Sequence, residues 1–138
     1  MPPHQISVRV YYEDTDFSGV VYHASYLRFM ERGRTEQIRD LGVAQAELFA
    51  QGRDSGEQGL AFVVRRMTID FLKPARMDDL LTVETLPKEA RGATMLLAQR
   101  ILRGDEVLVT ADVTVACVGG GRARRIPDGL RTRLGLAL

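Results

Sequence analysis

Two hydrophobic periods divide the chain. Over residues 6–12, Ile6, Val8, Val10 and Tyr12 alternate with Ser7, Arg9 and Tyr11, the two-residue period of a half-buried strand. Residues 13–19, rich in Asp, Ser and Gly, break that period and read as a turn. Over residues 24–41 the spacing changes to helical. Tyr26, Leu27, Met30, Ile38 and Leu41 fall on one face, with Arg28, Arg32, Glu36 and Arg39 largely on the other. Gly33 interrupts this helix at a cost of about 1 kcal/mol against alanine. The compensation expected is close approach of another backbone, from a sheet or a partner chain. Gly42 is a favourable residue just past the helix end.

Residues 43–50 can continue as a short second helix, and residues 51–59, with Gly52, Ser55, Gly56 and Gly59, read as a mobile loop rather than a domain linker. The rest reads as strands. Residues 62–72 set Val63, Met67, Ile69 and Phe71 on one face; residues 80–86 and 94–102 follow, the latter alternating Met95, Leu97 and Ile101 with Thr94 and Arg100. The clearest two-residue period is Val107, Val109, Ala111, Val113, Val115 and Cys117, opposed by Thr110, Asp112 and Thr114. Gly92, Gly104-Asp105 and Gly119-Gly120-Gly121 mark the turns, which are short enough to require antiparallel neighbours. One strand, one long helix and four or more further strands predict a two-layer α+β domain spanning residues 1–138. The helix covers one sheet face. The other stays partly apolar, so dimerisation is expected.

Bulk properties narrow the function. A chain of 138 residues, 45% hydrophobic, can bury one real core, and its net charge of +1 gives no support for binding nucleic acid or an anionic membrane. No apolar run approaches the roughly 18 residues of a membrane span. The opening residues lack the basic and apolar regions of a signal peptide, and the single Cys117, unable to form an internal disulfide, fits a reducing compartment. A soluble cytoplasmic domain is expected.

The chemistry concentrates in residues 12–27, Tyr-Glu-Asp-Thr-Asp-Phe-Ser-Gly-Val-Val-Tyr-His-Ala-Ser-Tyr-Leu. From Asp14 the string imitates the start of a calcium loop, but its twelfth position is Ser25 where a bidentate glutamate is needed, and no helix precedes it. Zinc would need more nitrogen or sulfur ligands than His4, His23 and Cys117 offer. Ser18 and Ser25 sit in no nucleophile elbow, which weakens a Ser–His–acid triad. What remains is carboxylate chemistry at a helix N-terminus. An ionised Asp16 would attack an acyl carbon or deprotonate a water, while the backbone N–H near His23 stabilises the developing oxyanion. The residue chemistry alone leaves a second reading open, in which both aspartates simply bond turn amides.

The same string, followed by Glu31-Arg32-Gly33-Arg34-Thr35-Glu36, resembles the signature of the 4-hydroxybenzoyl-CoA thioesterase family of hotdog-fold enzymes. It is most similar to the YbgC-type branch, acyl-CoA thioesterases associated with the bacterial Tol-Pal envelope system. Residues 62–81, Phe-Val-Val-Arg-Arg-Met-Thr-Ile-Asp-Phe-Leu-Lys-Pro-Ala-Arg-Met-Asp-Asp-Leu-Leu, resemble that branch as well, and weaker similarity runs through Cys117. The resemblance implies a hotdog fold, an antiparallel sheet of about five strands wrapped around one long helix. It also implies a dimer with sheets joined edge to edge and active sites at the interface, with dimers often assembled into tetramers. The activity implied is hydrolysis of acyl-CoA, or of acyl-carrier protein, to a free acid and thiol without metal or organic cofactor.

On this resemblance the catalytic aspartate falls on Asp16 and the oxyanion donor on the His23 amide. The His23 side chain is assigned to positioning substrate or assisting the leaving thiolate. Tyr22, Tyr26 and Arg91 are the candidate substrate contacts, although Tyr26 and Met30 fit the helix core equally well. Arg91 matches a basic position that some relatives use for the nucleotide, but Gly92-Ala93 follow where those relatives carry further basic residues. Arg122, Arg124 and Arg125 read as a solvated edge guarding a terminal strand, and Arg65 and Arg66 as partners for Asp70, Glu84 or Asp112. The 51–59 loop, longer and richer in glycine than the branch, is expected to shape acyl-chain selection. Two rival functions remain: a hydratase or dehydratase of the same fold, and a non-enzymatic acyl-binding scaffold subunit.

Overall fold

The computed structural model describes residues 2–42 and 59–137. The helix expected over 43–50 and all of the 51–59 loop except Gly59 lie outside the described residues. Strand β1 (His4–Arg9) leads through a 3₁₀ turn (Tyr12–Asp14) into helix α1 (His23–Asp40). Strands β2 (Ala61–Phe71), β3 (Leu80–Arg91), β4 (Thr94–Arg103), β5 (Glu106–Gly119) and β6 (Arg122–Ala123) follow, and a short helix α2 (Asp128–Arg133) comes last. Neither β6 nor α2 was expected from the periodicity; both are too short to show one.

The sheet is antiparallel, in the order β1-β3-β4-β5-β2, with β6 added to β5. Strands β3, β4 and β5 form a meander whose tight turns place Gly92 and Gly104 at φ +57° and +59°, where a side chain would be strained. β2 crosses to the far edge and pairs with β5, not with β3. The result is the α+β, helix-on-sheet arrangement that the resemblance implied, with six strands where about five were expected.

Helix α1 packs on β1, β3 and β4. Its buried face is Tyr26, Phe29, Met30, Gly33, Gln37 and Ile38, so Leu27, 40% exposed, is not part of it, and Phe29 takes its place. The face was misjudged because Gly33 and Gln37, neither hydrophobic, stand in the middle of the buried stripe. Gly33 does meet a close neighbour, but through side chains: a Cβ there would lie 2.9 Å from Val83 Cγ1 and 3.0 Å from Thr85 Oγ1. Next to it the Gln99 amide donates to Met30 O at 3.0 Å and Thr85 Oγ1 at 2.9 Å, fastening helix to sheet.

Strand β2 carries a bulge. Val64 faces Val115 and Arg66 faces Thr114, so the extra residue between them reverses the inside–outside parity. Phe62 and Val64 therefore share the inner side with Met67, Ile69 and Phe71, while Val63, expected with Met67, points the other way. A second irregularity, between Ile101 and Leu102, buries Leu108 fully beside Val109. On the outer face Glu84 is gripped by Arg100, whose Nε donates at 2.8 Å; Arg65 and Arg66 form no ion pair among the described residues. The inner side of β2 is incompletely covered, with Val64 and Phe71 both 47% exposed.

Candidate active site

The turn before α1 spends its two aspartates differently. Asp14 is buried and accepts from the Tyr11 amide at 2.8 Å, while its carbonyl accepts from the Tyr22 amide at 2.9 Å. It ties the end of β1 to the start of α1. Asp16 closes the next loop with its backbone, donating to Val20 O at 2.9 Å and accepting from the Gly19 amide at 3.1 Å. Gly19 adopts φ +86°, a conformation that explains glycine at this position.

The Asp16 side chain is exposed. Its Oδ1 accepts from the Ser18 hydroxyl at 2.6 Å and the Ser18 amide at 2.8 Å, an Asx turn of the kind the second sequence reading anticipated. Its Oδ2 has no partner among the described residues. The Ser18 hydroxyl, then its amide, bond the ionised form and hold the carboxyl below its ordinary value. Asp16 lines a groove of about 480 Å³ with Tyr12, Thr15, Phe17, Gly19 and Met77.

Bridges from Thr15 to Val21 and from Val20 to Arg76, with the Val21 amide donating to Ala75 O at 2.8 Å, deliver the chain to the helix start. Tyr22 occupies the N-cap with no side-chain cap bond. The amides of His23 and Ala24 stand in the first turn, where the helix supplies no acceptor, and no other acceptor is found among the described residues. These donors carry the positive end of an 18-residue helix.

Aromatic side chains assemble around them. The His23 ring lies 4.4 Å from Tyr22 and 6.3 Å, edge-on, from Phe71. Tyr26 packs 5.8 Å from Phe71, its hydroxyl accepts from the Ala75 amide at 3.0 Å, and burial pushes its phenol pKa up. Val21, His23, Tyr26, Phe71, Leu72, Lys73 and Pro74 enclose a groove of about 270 Å³. Tyr26 is thus core and groove wall together.

Of the sequence candidates, His23 and Tyr26 share the groove and Tyr22 packs on the His23 ring, while Asp16 opens onto a separate groove. Arg91 stands apart. It ends β3, eleven residues from Leu80, which at about 3.3 Å per residue is roughly 36 Å along the strand. It is exposed and faces Glu89 at 3.8 Å. Within one chain Arg91 and His23 do not meet. Phe71 and Lys73 were missed as site residues because β2 reaches the helix start only through tertiary structure. Lys73 is the cation on the groove wall, paired with Glu106 at 2.9 Å. Arg125, in the expected edge cluster, pairs with Asp128 at 3.2 Å.

Comparison with known proteins agrees with this architecture. The Thioesterase superfamily profile matches residues 18–110. The chain is 50% identical over 119 residues to the acyl-CoA thioesterase YbgC of Haemophilus influenzae, covering 86% of this chain and 83% of that protein. It is 46% identical over 112 residues to the acyl-CoA thioester hydrolase YbgC of Escherichia coli O6:H1, covering 80% and 78%. A solved structure, a probable thioesterase from Bartonella henselae, matches with a TM-score of 0.84 at 48% identity over 91% of this chain and 99% of that one. The chain belongs to the thioesterase superfamily.

Proposed function

We propose that the protein hydrolyses acyl-CoA thioesters to a carboxylic acid and CoA. The observation that carries this reading is the set of unengaged amides at the start of α1, with an exposed carboxylate oxygen on Asp16 in a separate groove of the segment that leads into the helix. Asp16 is the catalytic carboxylate. The His23 amide polarises the thioester carbonyl and stabilises the oxyanion as the bond to sulfur breaks. Asp16 acts either by adding to the carbonyl carbon, expelling the thiolate and leaving an anhydride for water to open, or by taking a proton from the attacking water. The His23 ring, held between Tyr22 and Phe71, positions substrate or assists the departing thiolate. Tyr22 and Tyr26 contact the substrate, and Arg91 serves the nucleotide of a substrate bound across subunits.

This reading extends to a cytoplasmic homodimer or homotetramer, to acyl-carrier protein as a second substrate form, and to association with the Tol-Pal system. Support for self-association comes from β2, an eleven-residue edge strand with Val63, Val64 and Phe71 exposed. The reading of residues 1–138 as one domain belongs to the same proposal. Asp16→Asn is the direct test: thiol release from acyl-CoA should fall by about 100- to 10,000-fold with the melting temperature unchanged. Hydrolysis comparable to the parent would refute the assignment.

A further inference from the structure

Away from the helix start, a cavity of about 130 Å³ opens between α1 and the inner face of β2, β4 and β5. Its walls are apolar: Phe62, Val64, Met95, Leu97 and Val115 from the sheet, with Ile38 from the helix. Along α1 the lining turns polar. Arg34 faces the cavity and donates through Nη1 to Gln99 Oε1 at 2.9 Å, a neutral partner, and no carboxylate lies within 4 Å of it among the described residues. Burial presses its pKa downward. The Gln37 amide lines the same wall, is only 7% exposed, and makes no hydrogen bond among the described residues. Glu31, the remaining charged group of the lining, sits exposed at the rim, where its Oε1 accepts from the Thr35 hydroxyl at 2.6 Å.

Arg34 is half-buried with one neutral acceptor, and Gln37 has none among the described residues, so both keep hydrogen-bonding capacity for a ligand at this wall. An Arg fork is shaped to accept a carboxylate through two parallel bonds. An apolar cavity of about 150 Å³ holds a benzene-sized body, which sets the scale for the space beside the fork.

We infer that this cavity is a binding site for a small monocarboxylate, its hydrocarbon body of about six carbons seated among Phe62, Val64, Leu97 and Val115 and its carboxylate on Arg34 and Gln37. Glu31 is solvated and screened, so it opposes the anion less than the desolvated Arg34 attracts it. The site needs no thioester chemistry and stands whether or not the proposed hydrolysis does. If both hold, a carboxylic acid of this size, the class of product that hydrolysis releases, occupies it.

The test is titration of the full chain with cyclohexanecarboxylate, hexanoate and the neutral cyclohexanecarboxamide, followed by methyl NMR and calorimetry in the absence of any thioester. Saturable shifts are expected at the Val64, Leu97 and Val115 methyls, with the carboxylates binding about tenfold or more tighter than the amide. Arg34→Met should erase that preference, and Arg34→Lys should restore part of it. Gln37→Met, which leaves the Arg34–Gln99 bond in place, should weaken the carboxylates by a smaller factor and guards against loss of fold in Arg34→Met. Equal binding of acid and amide, shifts confined to residues outside this cavity, or undiminished carboxylate affinity in both Met variants would overturn the proposal.

Discussion

The two stretches of helix α1 handle unpaired polar groups in opposite ways. At its start the unengaged donors are backbone amides, one of them on an exposed residue, His23, that lines a surface groove. Three to four turns further on, the poorly matched donors are side chains, Arg34 and Gln37, lining a cavity against the sheet. The first arrangement costs little when empty, because water satisfies the amides, and it suits a charge that appears only transiently. The second is built from side chains that burial has partly stripped of water, and it suits a ligand carrying a permanent charge. Gly33 lies beside the second stretch and lets the helix approach β3 and β4 closely.

Replacing that glycine should disturb the comparison most. In Gly33→Val a Cβ that would stand 2.9 Å from Val83 must push α1 away from the sheet, at a cost of about 2–3 kcal/mol. Thermal unfolding would show the loss; an unchanged melting temperature would mean the helix can shift freely. Phe71→Ala probes the start alone. Removing the ring that flanks both His23 and Tyr26 should raise KM for acyl-CoA by about tenfold, since about 1–2 kcal/mol of aromatic packing goes with it. Steady-state kinetics would check this, and an unchanged KM would detach the groove from substrate.

A subtler change concerns pH. Ser18 lowers the Asp16 pKa, so activity that needs ionised Asp16 persists through the ordinary carboxylate range and is lost only as pH falls through the lowered value. In Ser18→Ala the acid limb of kcat/KM should move upward, toward the ordinary value near 4. A limb that stays put, or moves down, would separate Asp16 from the titration. Arg91→Ala should do least: a rise in KM of at most about threefold for CoA substrates, because it is exposed, its charged partner is Glu89, and Gly92-Ala93 follow it. A larger rise would make Arg91 a principal phosphate contact.

What could be read from the sequence follows from how local each feature is. The alternation in β5 and the helical spacing of α1 are properties of contiguous residues, and both elements stand where the pattern put them. The Asp16 turn was legible for the same reason, since Asp, Ser and Gly at 16, 18 and 19 make their bonds within five residues. The bulge after Val64 was not legible, because strand parity is defined only against β5. Nor was the true inner face of α1, where the polar Gln37 is buried and Leu27 is not, or the meeting of Phe71 and Lys73 with His23 across the fold. The Arg34 cavity draws on α1, β2, β4 and β5 together and has no one-dimensional signature.

The central claim is that two aspartates separated by one residue do different work, and a single paired measurement tests it. Thiol release and thermal unfolding are recorded for Asp16→Asn and Asp14→Ala beside the parent. Asp16→Asn is predicted to lose hydrolysis while melting like the parent, because its side chain holds only a surface turn. Asp14→Ala is predicted to melt lower, by about 1 kcal/mol of lost bonding to the Tyr11 amide, with the chemistry retained in the folded fraction. Full hydrolysis by Asp16→Asn, or its loss in a folded Asp14→Ala protein, would contradict the account.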